Sequence, residues 1–305
     1  MKGVNMLKSS HHLTNREAMY YHKEADRVVQ CTLCPHACTI PEGESGICRV
    51  RKNIEGTLYA SAYGVISAMA LDPIEKKPLF KFYPGSQILS IGSVGCNLHC
   101  PFCQNYPIST EYENTDIILE QKTAEELVSC AIDAQEDGNI GLAYTYNEPL
   151  INFEFIYDCS KTIYKNRLRN ILVTNGYINA EPLERLLPLL DAANVDLKSF
   201  RQTFYDQVGG QIEVVKRNIQ RIAKSDCHLE ITFLVIPDEN DSDEEMEELC
   251  KWIASIDPQI PLHISRSFPL YKYTHKEATP HDTVYHLREI AWKYLEHVFI
   301  GNMGW

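Results

Sequence analysis

From Ile88 onward, apolar runs of strand length alternate with segments that carry a helical pattern of apolar residues. This alternation is typical of a parallel sheet whose strands are joined by helices. Six strand–helix units are predicted, followed by a seventh apolar run, His297–Gly301. Six units are too few to close an eight-stranded barrel. The pattern therefore predicts an α/β fold, a TIM-like partial (β/α)6 barrel that leaves a lateral opening.

The predicted elements divide the chain into a barrel, residues 87–305, and a smaller N-terminal part, residues 1–86. The latter is expected to contain a polar lead-in helix over about residues 1–30 and a small cysteine-rich lobe. The predicted strands are Ile88–Val94, Ile140–Tyr146, Asn170–Thr174, Ala193–Leu197, Leu229–Ile236 and Pro261–Ser267. The predicted helices are about Ala124–Gln135, Ile151–Tyr164, Pro182–Leu190, Ile212–Lys224, Asp243–Ser255 and Asp282–Tyr294.

Three cysteines lie on one short loop directly after the first predicted strand. Cys96, Cys100 and Cys103 are spaced C-x3-C-x2-C, and soft thiolates favour iron–sulfur clusters or zinc. Three ligands leave one iron of a 4Fe-4S cluster without a protein ligand, which indicates a catalytic rather than a closed structural site. The loop also follows a strand at its carboxyl end, where parallel α/β folds collect their chemistry. A zinc knuckle, or three unrelated core cysteines, is the alternative interpretation.

This loop resembles the signature of radical S-adenosylmethionine (SAM) enzymes. Over about residues 25–301 the chain resembles the pyruvate formate-lyase activating enzyme group, and within it the AmmeMemoRadiSam branch. The resemblance implies that the open iron binds the amino and carboxylate groups of SAM. It also implies that one electron from the cluster cleaves SAM to methionine and a 5'-deoxyadenosyl radical. Phe102, just before the third cysteine, matches the family position that packs beside the adenine.

Two polar residues at strand ends are candidate SAM contacts. Glu148 matches the last position of the Gly-Gly-Glu motif of activating enzymes, although Tyr146 and Asn147 depart from its glycines. Its carboxylate is expected to accept hydrogen bonds from the SAM ammonium group. Asn175, before Gly176, is expected to contact the SAM carboxylate or ribose. The alternatives are an ordinary polar strand end and a simple turn.

Two later strands supply further candidates. Asp196 and Lys198 match the Asp-x-Lys motif of the family and should point to one side of their strand. Lys198 is expected to pair with the SAM carboxylate, while Asp196 holds Lys198 or contacts the ribose. Arg266, after the sixth strand, suits a carboxylate or phosphate group in the substrate or cofactor pocket. A structural ion pair at the barrel rim is the alternative for the first two.

A second cysteine set lies upstream of the barrel. Cys31, Cys34, Cys38 and Cys48 are spaced C-x2-C-x3-C-x9-C, with His36 as an alternative ligand. Four soft ligands match a closed, four-coordinate site for zinc, or an auxiliary iron–sulfur cluster. Such a metal would stabilise a lobe too small to fold alone. The alternative is a set of reduced cysteines, one or two of them buried.

Two charged segments have less specific interpretations. Asp72–Phe80 resembles a segment typical of the AmmeMemoRadiSam branch, and we expect a turn with a solvated face. The alternative is that its lysines touch an anionic cofactor or partner. In the acidic run 238–248, Ser242 is expected to cap a helix, with Glu245 completing a capping box.

The composition excludes several classes of protein. A net charge of −12 argues against nucleic acid as a partner. The first 15 residues lack the apolar stretch of a secretory signal, and no apolar run reaches the length of a membrane span. Eleven cysteines without an export signal indicate a reducing compartment, so we expect a cytoplasmic protein.

Together these features predict a radical SAM enzyme that abstracts hydrogen from a substrate at the barrel mouth. The substrate is either a partner protein, as for an activase that makes a glycyl radical, or a small molecule. A flavodoxin- or ferredoxin-like electron donor and the proteins associated with the AmmeMemoRadiSam branch are the expected partners. The alternative function is a non-catalytic scaffold that binds iron–sulfur clusters or zinc within a multi-protein complex.

Overall fold

The structure of the chain is a computed structural model, which describes residues 6–7 and 16–304. The strands are β1 Met6–Leu7, β2 Tyr21–Lys23, β3 Val29–Cys31, β4 Thr39–Ile40, β5 Arg51–Ile54, β6 Thr57–Ala60, β7 Val65–Ile66, β8 Ala68–Pro73, β9 Gln87–Gly92, β10 Leu119–Gln121, β11 Asn139–Tyr144, β12 Arg169–Thr174, β13 Ala192–Asp196, β14 His228–Val235, β15 Leu262–Arg266 and β16 Val298–Gly301. The α-helices are α1 Tyr106–Ser109, α2 Ala124–Asp133, α3 Phe153–Lys165, α4 Ala180–Leu186, α5 Gln202–Val208, α6 Ile212–Ala223, α7 Asp243–Ile256 and α8 His281–Ala291.

The centre of the molecule is an eight-stranded sheet in the order β16-β15-β14-β13-β12-β11-β9-β8. Strands β9 and β11–β16 run parallel, whereas β8 pairs with β9 in the antiparallel sense. Because β8 and β16 are the two edges, the sheet is open, as a partial barrel requires. The predicted α/β fold, with its six strand–helix units and the extra strand at His297–Gly301, is confirmed.

Apolar periodicity explains why these segments adopt their secondary structure. The central strand β13 is buried over its first four residues, which marks a strand covered on both faces. Helix α6 buries Ile212, Val215, Ile219 and Ile222 on one face and leaves its charged residues on the other. Helix α2 begins with a capping box formed by Thr123 and Glu126. The carboxyl ends of the parallel strands are thereby held at one end of the barrel.

The N-terminal part differs from the prediction in two respects. Within residues 16–30 the polar lead-in helix is wrong, because β2 pairs with β3 and the backbone there is extended apart from a single 3-10 turn. The rest of that predicted helix lies outside the described residues, apart from β1. In addition, β8 belongs to the central sheet, so this sheet begins before the predicted boundary at residue 87.

A buried ion pair joins the N-terminal lobe to the barrel. The Arg51 guanidinium donates to both carboxylate oxygens of Glu154, at 3.0 and 3.1 Å, and both side chains are buried. The same two side chains bind the carbonyl oxygen and the N–H of Met19, which holds the backbone before β2. These contacts override the helical pattern of the first residues and hold the lobe against α3.

The acidic run behaves partly as predicted. Ser242 accepts a hydrogen bond from the Glu245 N–H and caps α7, so the predicted cap is confirmed. The capping box is wrong, because the Glu245 carboxylate instead accepts hydrogen bonds from the Ser199 hydroxyl and the Phe200 N–H. In the part of the chain that the structure describes, no helix is long and apolar enough to span a membrane.

Candidate functional site

The three-cysteine loop begins at the carboxyl end of β9. Gly95 opens it with φ at +87°, and a Cβ at this position would lie 2.7 Å from the carbonyl oxygen of Cys48. Glycine is therefore required by both the backbone conformation and the space. Cys96, Cys100 and Cys103 all line one cavity of about 340 Å3. The structure thus brings the three predicted cluster ligands together.

The Cys96 sulfur meets two N–H donors, whereas burial disfavours the thiolate form of Cys96 and Cys100 in the metal-free chain. The Leu98 N–H donates to the Cys96 sulfur at 3.3 Å, and the Asn175 amide lies 3.8 Å from the same atom. Without a metal, burial raises the pKa of Cys96 well above its ordinary value, and Glu148 adds to the shift. Burial also raises the pKa of Cys100 to about 12, although Lys198 opposes the shift. A bound metal centre would reverse this balance, because metals deprotonate the thiols that coordinate them.

Glu148 lies in the wall of the same cavity and is 3% exposed. Its carboxylate accepts hydrogen bonds from the Leu150 N–H at 2.9 Å, the Thr174 hydroxyl at 2.7 Å and the Asn175 N–H at 2.8 Å. Burial raises the pKa of Glu148 to about 7 despite these three donors. The carboxylate therefore fixes the end of β12 in addition to facing the cavity.

Asn97 connects the cysteine loop to its neighbours, a role the sequence reading missed. Its side-chain oxygen accepts a hydrogen bond from the Asn175 amide at 3.0 Å, and its own amide donates to the Tyr177 carbonyl at 2.7 Å. Its carbonyl oxygen lies 2.7 Å from Nε2 of His36 in the N-terminal lobe. Its position between Cys96 and Cys100 was the available signal, since loop asparagines often bond to nearby backbone.

The Asp-x-Lys pair is oriented as predicted. Asp196 and Lys198 both line the cavity, with 2.8 Å between Nζ and the carboxylate. Burial lowers the pKa of Lys198, but Asp196 and the Cys100 thiol outweigh it and hold this pKa above its ordinary value. Lys198 is therefore a cation throughout the physiological range and is available to a carboxylate.

Of two further predicted site residues, Phe102 lines the cavity and Arg266 does not. Phe102 lines the cavity and packs between the rings of Phe204 and Tyr273, with centroids 5.7 and 5.9 Å away. Arg266 is not among the residues that line this cavity, and its contact with a substrate or cofactor stays a prediction. Its Nε–H donates to the Thr279 carbonyl, and its guanidinium lies over the ring of Phe268. The loop after β15 thus binds the Arg266 side chain.

The segment Asp72–Phe80 also departs from the expected solvated turn. Lys77 is 2% exposed and lines the cavity together with Lys76 and Tyr146. Tyr146 and Lys77 are thus candidate functional residues that the sequence pattern placed in the right segments without revealing their roles.

The second cysteine set lies beside the first. Burial raises the pKa of Cys34 to about 11 and that of Cys48 to about 12. Charge interactions with Cys31 and Cys38 also raise the pKa of Cys34, and charge interactions with Cys34 and Cys31 raise the pKa of Cys48, so the four side chains lie near one another. Within residues 16–304, no three His, Cys, Asp or Glu side chains converge closely enough to hold a single metal ion. Neither cysteine set is therefore arranged around one ion.

Comparison with known proteins places the site in context. The family described as the Radical SAM superfamily matches residues 90–253. An uncharacterized protein of Methanocaldococcus jannaschii is 40% identical over 291 residues, which cover 94% of this chain and 85% of that protein. The 4-hydroxyphenylacetate decarboxylase activating enzyme of Clostridioides difficile is 23% identical over 161 residues, or 50% of this chain and 51% of the enzyme.

The pyruvate formate-lyase 1-activating enzyme of Escherichia coli is 22% identical over 158 residues, which cover 51% of this chain and 63% of the enzyme. The chain therefore spans less than two thirds of the length of either activating enzyme. These matches confirm the predicted resemblance to radical SAM enzymes and to activating enzymes. The narrower assignment to the AmmeMemoRadiSam branch stays a prediction.

Proposed function

The chain belongs to the radical SAM superfamily, and from this premise we propose that Cys96, Cys100 and Cys103 bind a 4Fe-4S cluster that acts on SAM. One observation carries the proposal: the three cysteines share a cavity at the carboxyl ends of the strands with Glu148 and Lys198. Three thiolates leave one iron without a protein ligand, which is what a catalytic cluster needs.

The chain's own residues would bind and orient SAM. Glu148 would accept hydrogen bonds from the amino group, and Lys198 would pair with the carboxylate, held in place by Asp196 at 2.8 Å. Asn175 would contact the SAM carboxylate or ribose, and Phe102 would pack beside the adenine. Leu98 and Leu234 add apolar surface to a lining in which polar and charged side chains predominate.

A cluster held by Cys96, Cys100 and Cys103 would supply the electron for cleavage of SAM to methionine and a 5'-deoxyadenosyl radical. The residues of the cavity would hold SAM and the substrate so that a hydrogen atom could pass from the substrate to that radical, giving 5'-deoxyadenosine. The substrate is a protein, as for the activating enzymes, or a small molecule. A flavodoxin- or ferredoxin-like protein would donate the electron, and cytoplasmic localisation stays a prediction.

We also propose that Cys31, Cys34, Cys38 and Cys48 bind a second metal centre. Arg51 supports this second centre, because its guanidinium lies close enough to Cys31 and Cys48 to interact with their charges. Burial lowers the pKa of Arg51, but Glu154 and then Cys31 and Cys48 raise this pKa above its ordinary value. The Arg51 Nε–H is buried and, among the described residues, has no hydrogen-bond partner, so a thiolate or sulfide could accept it.

The donor set of this second site fits two kinds of centre. Four cysteine thiolates can hold either one zinc ion or an auxiliary iron–sulfur cluster.

Anaerobic reconstitution with iron and sulfide tests the first centre. The reduced protein is expected to convert SAM to 5'-deoxyadenosine, measured by liquid chromatography, and Cys100→Ala should abolish the product. The matched control is Cys130→Ala, because Cys130 lies on α2 and is not among the cavity-lining residues. Turnover retained in Cys100→Ala would contradict the assignment. A wild-type protein that binds metal but leaves SAM intact would support the non-catalytic scaffold instead.

Metal analysis of the same variants tests the second centre. We expect about eight iron atoms per chain in the wild type and about four in Cys34→Ala, if each centre holds a four-iron cluster. Zinc that disappears in Cys34→Ala would establish a zinc site instead. An unchanged metal content in that variant would remove the second centre.

A further inference from the structure

The segment between β8 and β9 forms one wall of the cavity that contains the three cysteines. Lys76, Lys77 and Pro78 line this wall, although the sequence pattern predicted a solvated turn. Asp72 is 7% exposed and Lys77 is 2% exposed. A buried lysine is rare unless it is paired or used for function, so the partners of Lys77 decide its role.

Asp72 is the common partner of the charged groups in this wall. Its carboxylate accepts hydrogen bonds from Lys77 Nζ at 2.9 Å, Lys76 Nζ at 3.1 Å and the Tyr146 hydroxyl at 2.7 Å. Two ammonium groups thus share one carboxylate, which leaves a local excess of one positive charge. In a chain whose net charge is −12, a positive excess at a cavity wall needs a specific reason.

Lys77 also retains hydrogen-bonding capacity. An ammonium group has three N–H donors, and within the described residues the Lys77 ammonium group makes one hydrogen bond, to Asp72. The Tyr146 ring covers another side, with its centroid 4.6 Å from Nζ. At least one donor of a cavity-lining cation is therefore left for a ligand.

The backbone of Tyr146 shows that this arrangement is held against strain. Its φ is +71°, a left-handed conformation that is unfavourable for a bulky residue. The Asn105 amide fixes this conformation by donating to the Tyr146 carbonyl at 2.7 Å. Strained residues persist where the surrounding structure needs them, often at functional sites.

The two cavity-lining cations differ in how they are paired. Lys198 has the carboxylate of Asp196 as its partner, whereas Lys77 shares the carboxylate of Asp72 with Lys76. The segment that carries Lys77 crosses to the strand before Lys198, because the Asn194 amide of β13 donates to the Pro78 carbonyl at 2.8 Å.

We propose that Lys77, held by Asp72 and Tyr146, binds the carboxylate or phosphate group of a small-molecule substrate beside SAM. The inference rests on the proposed function, because it names the substrate class of the same cavity. The N–H donors of the Lys77 ammonium group that Asp72 leaves free indicate an anionic group as its ligand.

Calorimetric titration of the reconstituted, SAM-saturated protein tests this subsite. Inorganic phosphate and succinate are titrated separately at constant ionic strength, so that the two anionic groups are distinguished. We expect saturable binding of at least one anion, weakened about tenfold or more in Lys77→Met and retained in Lys77→Arg. Lys77→Met should fold, because Asp72 keeps Lys76 and the Tyr146 hydroxyl as partners.

Two further variants keep the test decisive. Lys76→Met removes the excess charge at a side chain that is 66% exposed, and should weaken anion binding about threefold even if Lys77→Met does not fold. Lys161→Met, on the outer face of α3, is the control and should bind the anion as the wild type does.

No saturable binding in the wild type, or equal binding in Lys77→Met and Lys161→Met, would overturn the subsite. So would a loss of SAM affinity in Lys77→Met as large as the loss of anion affinity, because Lys77 would then be a cofactor contact. Formation of 5'-deoxyadenosine is a separate measurement, so a failure of the proposed function is distinguished from a failure of the subsite.

Discussion

Glu148 allows a quantitative test of the site, because its carboxyl is buried and titrates near neutral pH. Burial raises its pKa from an ordinary 4.5 to about 7, against opposing hydrogen bonds from the Asn175 N–H and the Thr174 hydroxyl. In the folded, metal-free chain we expect this carboxyl to be largely protonated at pH 6 and largely ionised at pH 8. The perturbation is Glu148→Gln, which keeps the shape of the side chain but cannot ionise.

The sign of the effect follows from linkage. A carboxyl whose pKa is higher in the folded than in the unfolded chain stabilises the fold below its unfolded pKa. It loses that contribution as the pH rises through its folded pKa. With pKa values of 4.5 and about 7, the contribution of Glu148 to the free energy of unfolding should decrease by about 2–3 kcal/mol between pH 5 and pH 8.

The assay is urea unfolding of reduced, metal-free protein, followed by circular dichroism at several pH values from 5 to 8. In Glu148→Gln the amide NH2 faces a backbone N–H, so the variant has a fixed cost at every pH. The difference in unfolding free energy between wild type and variant should nevertheless shift by about 2–3 kcal/mol across this range. If this difference stays constant with pH, the prediction that burial raises the pKa of Glu148 to about 7 is wrong.

Three other variants test the surrounding structure. Arg51→Met should lower the free energy of unfolding by about 3–5 kcal/mol, measured by urea titration, since it leaves the buried Glu154 unpaired. A clearly smaller loss would contradict this prediction. Gly95→Ala should cost about 1–3 kcal/mol and lower the iron content, because φ is +87°; unchanged melting and iron content would contradict this. Lys198→Met should weaken SAM binding about tenfold, measured by equilibrium dialysis, whereas equal affinity would exclude pairing with the SAM carboxylate.

Local sequence patterns determined the elements and the cysteine loop. Apolar periodicity gave all seven parallel strands and the main helices, because each pattern reflects burial of one face of a strand or helix. The position of Cys96 after β9 followed from the rule that loops at carboxyl strand ends carry chemistry. The Ser242 cap was also predictable, because it involves residues only three positions apart.

Side chains whose partners are distant in sequence were not predictable in the same way. Glu245 bonds to Ser199 and Phe200 rather than to its own helix cap. Arg266 binds the Thr279 carbonyl, which is 13 positions further along the chain. The backbone of β2 is extended, although the sequence pattern of residues 1–30 predicts a polar helix. In each case a contact across many residues outweighs a local preference of comparable or smaller size.

The sequence by itself determined that this chain alternates strands and helices and that three thiols stand together on one loop. Both properties depend on residues within a few positions of each other. Only the tertiary structure decided that Lys77 is buried beside Tyr146, 69 positions further along the chain, with Asp72 as their shared partner. The physical reason is that burial and charge pairing depend on which strands become neighbours, and this is set by packing of the whole sheet.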